Sequence, residues 1–72
     1  MSTQTFAVNG MTCGHCVHAV TEELQALPGV NGVNVDLVAG GTSTVSVESE
    51  RELDTAEVSA ALDEAGDYTL AP

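Results

Sequence analysis

Two cysteines stand three positions apart near the start of the chain, in the segment Met11-Thr12-Cys13-Gly14-His15-Cys16. A helical pattern begins at Cys16, so this spacing places one sulfur in a loop and the other in the first helical turn, where both can converge on one point. The partial positive charge and unpaired N–H groups of a helix N-terminus favour thiolate over thiol. Gly14 has no Cβ and permits a tight turn between the sulfurs. The pair is therefore suited to bind a soft metal or to exchange disulfides.

The small number of soft ligands bears on which metal this pair would hold. Zn(II) takes four ligands in a structural site, and the sequence contains no second cysteine pair. Thiolate ligands in low number favour Cu(I). His15 is a candidate auxiliary ligand, whereas His18 lies two positions after Cys16 and is expected to point away from the sulfurs. An under-coordinated metal in an exposed loop leaves room for a partner's ligand, which suits transfer rather than storage.

Hydrophobic periodicity predicts the first two elements around this loop. Alternation predicts a strand over Thr3–Asn9, and apolar spacings of three and four predict an amphipathic helix from Cys16. Pro28 and Gly29 are expected to stop that helix. Its apolar stripe consists of Val17, Val20, Leu24 and Leu27.

The second half of the chain also changes from strand-like to helix-like hydrophobic periodicity. Segments Val30–Leu37 and Thr42–Glu48 predict a hairpin around Gly40-Gly41, whose glycines can supply positive φ angles. Asp54 and Glu57 form a capping box for a second helix, which ends at Gly66 in an expected left-handed conformation. Leu53 and Val58 would form its hydrophobic staple, the apolar face consists of Val58, Ala61, Leu62 and Ala65, and a short last strand covers Tyr68–Leu70.

The predicted order is β-α-β-β-α-β. Two helices with one apolar stripe each must cover one face of a sheet. We therefore expect an α+β, ferredoxin-like fold with a four-stranded antiparallel sheet and both helices on one face. The length of 72 residues allows one domain at most, spanning 1–72.

Composition excludes several classes of function. With 43% hydrophobic and 17% charged residues, the chain is not of the disordered type. Its net charge of −10, with one Arg and no Lys, makes nucleic acid and anionic membranes poor partners. No apolar run is long enough to insert into a membrane, and the first five residues carry no secretory signal. The free-standing cysteine pair then suits a reducing, cytoplasmic location.

The motif Gly10-Met11-Thr12-Cys13-x-x-Cys16, between a first strand and a first helix, resembles that of the heavy-metal-associated domain. The resemblance covers essentially the whole chain. That family includes copper chaperones of the CopZ type, the metal-binding domains of copper-transporting P-type ATPases and mercury-binding periplasmic proteins. The resemblance implies Cu(I) bound by Cys13 and Cys16, with Met11 packed beneath the loop as core rather than as a ligand.

The resemblance also implies a role as a cytosolic metallochaperone, not an enzyme, that delivers copper by ligand exchange to the metal-binding domain of a copper-transporting P-type ATPase. Because the chain itself is acidic, we expect that partner to present a basic docking face; the other interpretation of the acidic surface is solubility. We expect a monomer without metal, and exposed dithiolates can also share metal in a copper-bridged dimer.

Two positions depart from the family's pattern. Many relatives place a Tyr, Phe or Lys directly after the glycine that follows the second helix, close to the metal. Here Asp67 intervenes between Gly66 and Tyr68, so Tyr68 has two candidate positions, over the sulfurs or against the edge of the core. His15 occupies a position that is often small or polar in the family, and it is a candidate ligand, a shield or a solvent-exposed residue.

Two alternatives stay open at this point. The same fold could bind mercury or another soft metal, or could be an excised ATPase metal-binding domain, although a start at Met1 favours a free protein. In a different class, Cys-Gly-His-Cys is also the dithiol of protein disulfide isomerases, which are thiol–disulfide oxidoreductases on a thioredoxin fold. That fold needs strands before the motif, a Trp where Thr12 stands and a cis-proline loop, which neither Pro28 nor Pro72 can supply.

Overall fold

The computed structural model describes residues 2–71 and contains the six elements in the expected order. These are β1 (Ser2–Asn9), α1 (Gly14–Gln25), β2 (Val30–Asp36), β3 (Thr42–Ser49), α2 (Thr55–Ala65) and β4 (Thr69–Leu70). The strands form one sheet in the order β2-β3-β1-β4, and every neighbouring pair is antiparallel. The ferredoxin-like α+β fold is confirmed, and it argues against the thioredoxin-fold alternative. Within residues 2–71, neither helix has the length and apolar character needed to cross a bilayer.

The core lies between the sheet and the two helices. Val45 and Val47 of β3 are fully buried, Ser46 between them is half-buried, and Thr44 and Glu48 on either side are exposed, so one face of the strand contacts solvent. The buried apolar residues are Val8, Met11, Val20, Leu24, Val45, Val47, Leu53, Val58, Ala61 and Leu62. The predicted stripes of both helices are therefore confirmed at their centres, and Val17, Leu27 and Ala65 pack at the margin of the core.

Two predicted boundaries differ at the ends of α1. The helix starts at Gly14 rather than Cys16, because Cys13 is extended (φ −156°, ψ 177°) and its carbonyl accepts hydrogen bonds from the Cys16 and Val17 N–H groups. The helix ends at Gln25, before the predicted stop at Pro28. The chain then reverses through Gly29, whose φ of 84° few residues other than glycine adopt.

The hairpin and the end of α2 also depart from expectation. The β2–β3 connection is a five-residue loop (37–41) that includes Leu37, and Gly40 has the expected positive φ of 75°. Gly66 ends α2 with φ 158° and ψ −152°, so the left-handed conformation predicted there is wrong. A Cβ at Gly66 would lie 2.9 Å from Cε2 of Tyr68, so the close approach of this ring requires a glycine at position 66.

Polar contacts join the elements at the end of the molecule where α2 begins. The capping box is confirmed: the Asp54 carboxylate accepts from the Ala56 N–H at 3.3 Å, and the Glu57 carboxylate accepts from the Asp54 N–H at 3.2 Å. Arg51 contacts Glu57 at 2.8 Å and donates from Nε to the Pro28 carbonyl at 2.8 Å. The guanidinium lowers the pKa of the Glu57 carboxyl from its ordinary value. Arg51 thereby ties the segment after α1 to the first turn of α2.

Candidate metal site

Neighbouring loops hold the segment that carries the cysteine motif. The Gly40 N–H donates to the Met11 carbonyl at 3.4 Å, which joins the β2–β3 loop to the β1–α1 loop. Gly10 has φ 104°, and a Cβ there would lie 2.9 Å from the carbonyl oxygen of Asp67. Met11 has no exposed surface and lies in the hydrophobic core, the position that the family resemblance implies for it. The cysteine loop is therefore held by the buried Met11 side chain, by the β2–β3 loop and by the close approach of Asp67 to Gly10.

The two sulfurs lie close together at the exposed end of this loop. Cys13 is exposed, Cys16 is half-buried, and both are free thiols. Their Sγ atoms are 3.8 Å apart, well beyond the ~2.05 Å of a disulfide bond. In the part of the chain that the structure describes, His, Cys, Asp and Glu side chains nowhere form a group of three that could hold a metal ion. The cysteine pair thus brings two sulfurs to one exposed point.

The surroundings of Cys16 favour its thiolate. The Tyr68 hydroxyl has the largest effect, followed by the backbone N–H groups of Thr12 and Cys13 and the Thr12 hydroxyl; together they lower the pKa of Cys16 from 9.0 to about 6. The Thr12 Oγ1 atom is 3.7 Å from Cys16 Sγ. The Tyr68 hydroxyl faces the same sulfur. This lowering of the pKa favours the thiolate form of Cys16, the form that acts as a nucleophile or metal ligand in proteins generally.

Tyr68 combines both positions that the sequence left open. Its ring packs against the edge of the core, while its hydroxyl faces Cys16. The interaction with the Cys16 sulfur, aided by partial desolvation, raises the pKa of Tyr68 to about 12. Glycines flank the ring on two sides: a Cβ at Gly66 would be 2.9 Å from the ring atom Cε2, and one at Gly10 would be 3.4 Å from Cδ1. The additional Asp67 therefore does not keep Tyr68 from the site.

The two histidines do not join the sulfurs. His15 is exposed at the start of α1 and belongs to no group of three ligand side chains among residues 2–71. His18 is exposed and contacts the Glu22 carboxylate at 3.0 Å, one turn further along the helix. Sequence reasoning missed Thr12 as a neighbour of the sulfur. The available signal was its position four residues before Cys16, the spacing that brings side chains together around a helix start.

Known proteins share both the sequence and the fold of this chain. The sequence model of the heavy-metal-associated domain matches residues 5–67. The copper chaperone CopZ of Staphylococcus saprophyticus is 50% identical over 40 residues, which are 56% of this chain and 59% of that protein. Copper-transporting ATPase 2 of Rhizobium meliloti is 39% identical over 61 residues, which are 85% of this chain and 7% of the ATPase. The matched segments are thus less than two thirds of either relative's length.

A solved CopZ metallochaperone has the same fold, with a TM-score of 0.80 at 30% identity, covering 97% of this chain and 100% of that one. Its likeness extends over the loop, both helices and all four strands, while the sequence model covers most of the chain including both cysteines. The chain belongs to the heavy-metal-associated domain family.

Proposed function

We propose that this chain is a copper chaperone and not an enzyme: Cys13 and Cys16 bind Cu(I) as cargo and release it to another protein by exchange of ligands. The observation that carries the proposal is the pair of free sulfurs, 3.8 Å apart in an exposed loop. Relatives named copper chaperone and copper-transporting ATPase support copper as the metal.

The spacing of the sulfurs fits a two-thiolate cargo site that another ligand can enter. The observed Sγ–Sγ distance of 3.8 Å is within reach of two metal–sulfur bonds of about 2.3 Å each, so both sulfurs could bind one ion. Cys13 is the more exposed sulfur, so an incoming thiolate meets its side of the metal first. Ligand exchange can then proceed without unfolding of the loop.

The acceptor we propose is the metal-binding domain of a copper-transporting P-type ATPase, met in the cytoplasm. Two thiolates around Cu(I) carry a net charge of −1, and the chain as a whole carries −10. Like charges would oppose an approach close enough for the acceptor's thiolates to reach the metal. A basic docking face on the acceptor removes that repulsion, whereas two copies of this chain would retain it. We therefore propose a monomer without metal, with a copper-bridged dimer only where Cu(I) is shared between two dithiolates.

Anaerobic Cu(I) titration against a chromophoric chelator, followed by X-ray absorption, tests the binding step. We expect one Cu(I) per chain with sulfur as the only protein ligand, and the same result for His15→Ala. A nitrogen ligand that disappears in His15→Ala would assign His15 to the metal instead. Binding of Hg(II) together with failure to bind Cu(I) would favour the mercury-binding alternative, and turnover in an insulin-reduction assay would favour thiol–disulfide exchange.

Stopped-flow transfer to the acceptor domain, measured from low to high salt, tests the docking step. Salt screens exposed charges over roughly 8–10 Å near physiological ionic strength. The transfer rate should therefore fall as salt rises, whereas the final distribution of copper should change much less, because it depends on sulfur–metal bonds. A rate that is flat or rises with salt would contradict electrostatic docking and would leave solubility as the role of the acidic surface.

A further inference from the structure

The tripeptide Val-Asn-Gly occurs twice in the chain, and the structure places the two copies in different surroundings. One copy contains Asn9 and Gly10, and the other contains Asn31 and Gly32. An asparagine before glycine can lose its side-chain amide without an enzyme, because the next backbone nitrogen can attack the side-chain carbonyl carbon. Glycine permits this attack, since it has no Cβ to obstruct it. The ring closes only where the backbone can turn away from the extended conformation of a paired strand.

The backbone and the side chain of Asn9 are both held. Asn9 pairs with Thr42 of β3 and with Thr69 of β4, so it has a strand on each side. Its Oδ1 atom accepts a hydrogen bond from the Thr42 hydroxyl at 2.8 Å. The next residue, Gly10, lies so close to Asp67 that a Cβ would be 2.9 Å from the Asp67 carbonyl oxygen. Ring closure at Asn9 therefore requires the end of β1 to open first.

Asn31 lies where the sheet is irregular. β2 is an edge strand and pairs with β3 on one side. The register shifts between Val30 and Gly32, while their partners on β3 are adjacent residues, so Asn31 is the extra residue of a β-bulge and the ladder leaves it unpaired. Asn31 is exposed, and the side-chain hydrogen bonds found within residues 2–71 do not include it. The bulge thus leaves its backbone and its amide freer to turn than those of Asn9.

The surroundings of Gly32 leave its backbone nitrogen open to reaction. Its φ is not positive, so the backbone there does not require a glycine. A Cβ at this position would lie more than 4 Å from every atom of residues 2–71 outside its two chain neighbours. Gly32 also lines an open depression of about 240 Å³ beside Ser46 and Glu48, so water reaches the bulge.

We propose that Asn31 is a site of spontaneous deamidation in the folded protein and that Asn9, in the same tripeptide, is protected. The backbone nitrogen of Gly32 attacks Cγ of Asn31 and forms a succinimide ring. The Cγ–N bond of the amide breaks, and the side-chain nitrogen leaves as ammonia with the proton of the attacking nitrogen. One water then opens the ring at either carbonyl and gives aspartate or isoaspartate. No electron is transferred, so this reaction can occur whether or not the copper proposal holds.

Deamidation changes the charge of the protein and, in the isoaspartate product, its backbone. Each event adds one negative charge to the net −10. Isoaspartate adds a methylene to the main chain, at a residue that the ladder already leaves out. Asn31 is about 17 Å of extended strand from Asp36, where β2 ends before the loop that contacts Met11. Both products should therefore keep the register beyond the bulge and leave copper binding unchanged.

Peptide mapping of the metal-free, full-length protein tests the proposal. The reduced protein is kept folded at mildly alkaline pH, and a parallel sample is kept in urea. Cleavage after glutamate separates Asn9 from the peptide 24–48, and fragment masses distinguish Asn31 from Asn34 within that peptide. In the folded sample Asn31 should deamidate about tenfold or more faster than Asn9, which reacts only after local opening. In urea the two rates should become similar, and Asn34, which precedes a valine, should be slowest in both samples.

Two glycine variants locate the attacking nitrogen. Gly32→Ala should slow the deamidation of Asn31 by about tenfold or more, because the added Cβ obstructs the attack, while circular dichroism stays unchanged. Gly14→Ala, where a Cβ also has open space, should leave the rate unchanged. The comparison of Asn31 with Asn9 in the unaltered protein depends on neither variant. Equal rates at Asn9 and Asn31 in the folded protein, an Asn31 rate as low as that of Asn34, or equal slowing by both glycine variants would overturn the proposal.

Discussion

The two helices begin in opposite ways. α2 begins at Asp54, whose side chain accepts an N–H hydrogen bond while Glu57 returns one to the Asp54 backbone. α1 begins at Cys13, and in the described part of the chain its N-cap makes no side-chain cap hydrogen bond and its first turn holds no acidic residue. Both helix starts present positive partial charge. At α2 the carboxylates of Asp54 and Glu57 lie against this charge, whereas at α1 the acidic groups nearest to it are the thiols of Cys13 and Cys16.

The two helix starts therefore differ in what stabilises them: α2 has its own capping box, whereas α1 carries the cysteines and has no side-chain cap. A missing N-cap hydrogen bond costs a helix about 1 kcal/mol. The start of α1 compensates with contacts from elsewhere: buried Met11 beneath it, the Gly40 N–H on the Met11 carbonyl, and the Tyr68 ring over Gly10. These contacts hold the cysteine loop in place although the N-terminus of α1 has no side-chain cap.

Removing one of the two sulfurs should have the largest effect, because it acts directly on copper binding at the start of α1. We expect Cys13→Ser and Cys16→Ser each to abolish tight Cu(I) binding, because one thiolate cannot hold the metal against a competing chelator, while the circular dichroism of the metal-free protein stays unchanged. The matched change at the other helix start, Asp54→Ser, should leave copper binding intact. Tight binding retained by both single cysteine variants would contradict the assignment of the ligands.

Truncating Met11 should destabilise the start of α1, which lies on this buried side chain. Met11→Ala removes a fully buried side chain and should lower the free energy of unfolding by about 2–5 kcal/mol. Copper affinity per folded molecule should change much less. Urea unfolding and chelator competition at low temperature measure the two effects. Unchanged stability with a sharp loss of affinity would make Met11 a ligand instead of a core residue.

Removing the carboxylate cap should weaken only the closed helix start. Asp54→Ala deletes one half of the capping box and should cost about 1 kcal/mol of stability. Asp63→Ala is a suitable control, because Asp63 is an exposed carboxylate of the same helix beyond its first turn. Thermal unfolding of the two variants gives the comparison. An equal loss in both would mean that net charge, not capping, sets the effect.

The smallest expected effect lies in the protonation of Cys16. Tyr68→Phe removes the leading cause of its low pKa, so the midpoint of Cys16 alkylation by iodoacetamide should move upward from about 6. Cys13→Ser serves as the background, so that one thiol is followed. A midpoint that does not move would assign the low pKa to the backbone N–H groups of Thr12 and Cys13 and to the Thr12 hydroxyl.

The same group makes stability depend on pH with a definite sign. The pKa of Cys16 is about 6 in the folded protein against 9.0 without the fold, so between these values the unfolded state binds the extra proton. Stability of the metal-free protein should therefore rise with pH across this range and lose that contribution as pH falls through about 6. Cys16→Ser should flatten this part of the profile, and an unchanged slope would contradict the assignment.

Local patterns predicted the elements, while the details of the site depend on distant contacts. The start of α2 was predictable because Asp54 and Glu57 are three residues apart and cap each other. The start of α1 was placed too late, because Cys13 is not among the residues that usually cap a helix. The reach of Tyr68 could not be derived, since it requires Gly10 and Gly66 to flank one ring in the folded chain. The closeness of the two sulfurs was thus predictable from the spacing of the cysteines, whereas their surroundings were not.

Arg51 allows the contact between the segment after α1 and the first turn of α2 to be followed by limited proteolysis. The chain has one Lys or Arg among 72 residues, so trypsin has one place to cut, and it would leave fragments of 51 and 21 residues. In the folded protein that arginine is engaged by the Pro28 carbonyl and the Glu57 carboxylate. Trypsin must take the Arg51 side chain out of these two contacts, so the rate of nicking should follow the population of the form in which they are broken, when they re-form quickly. The appearance of the two fragments thereby records how often Arg51 leaves the Pro28 carbonyl and the Glu57 carboxylate.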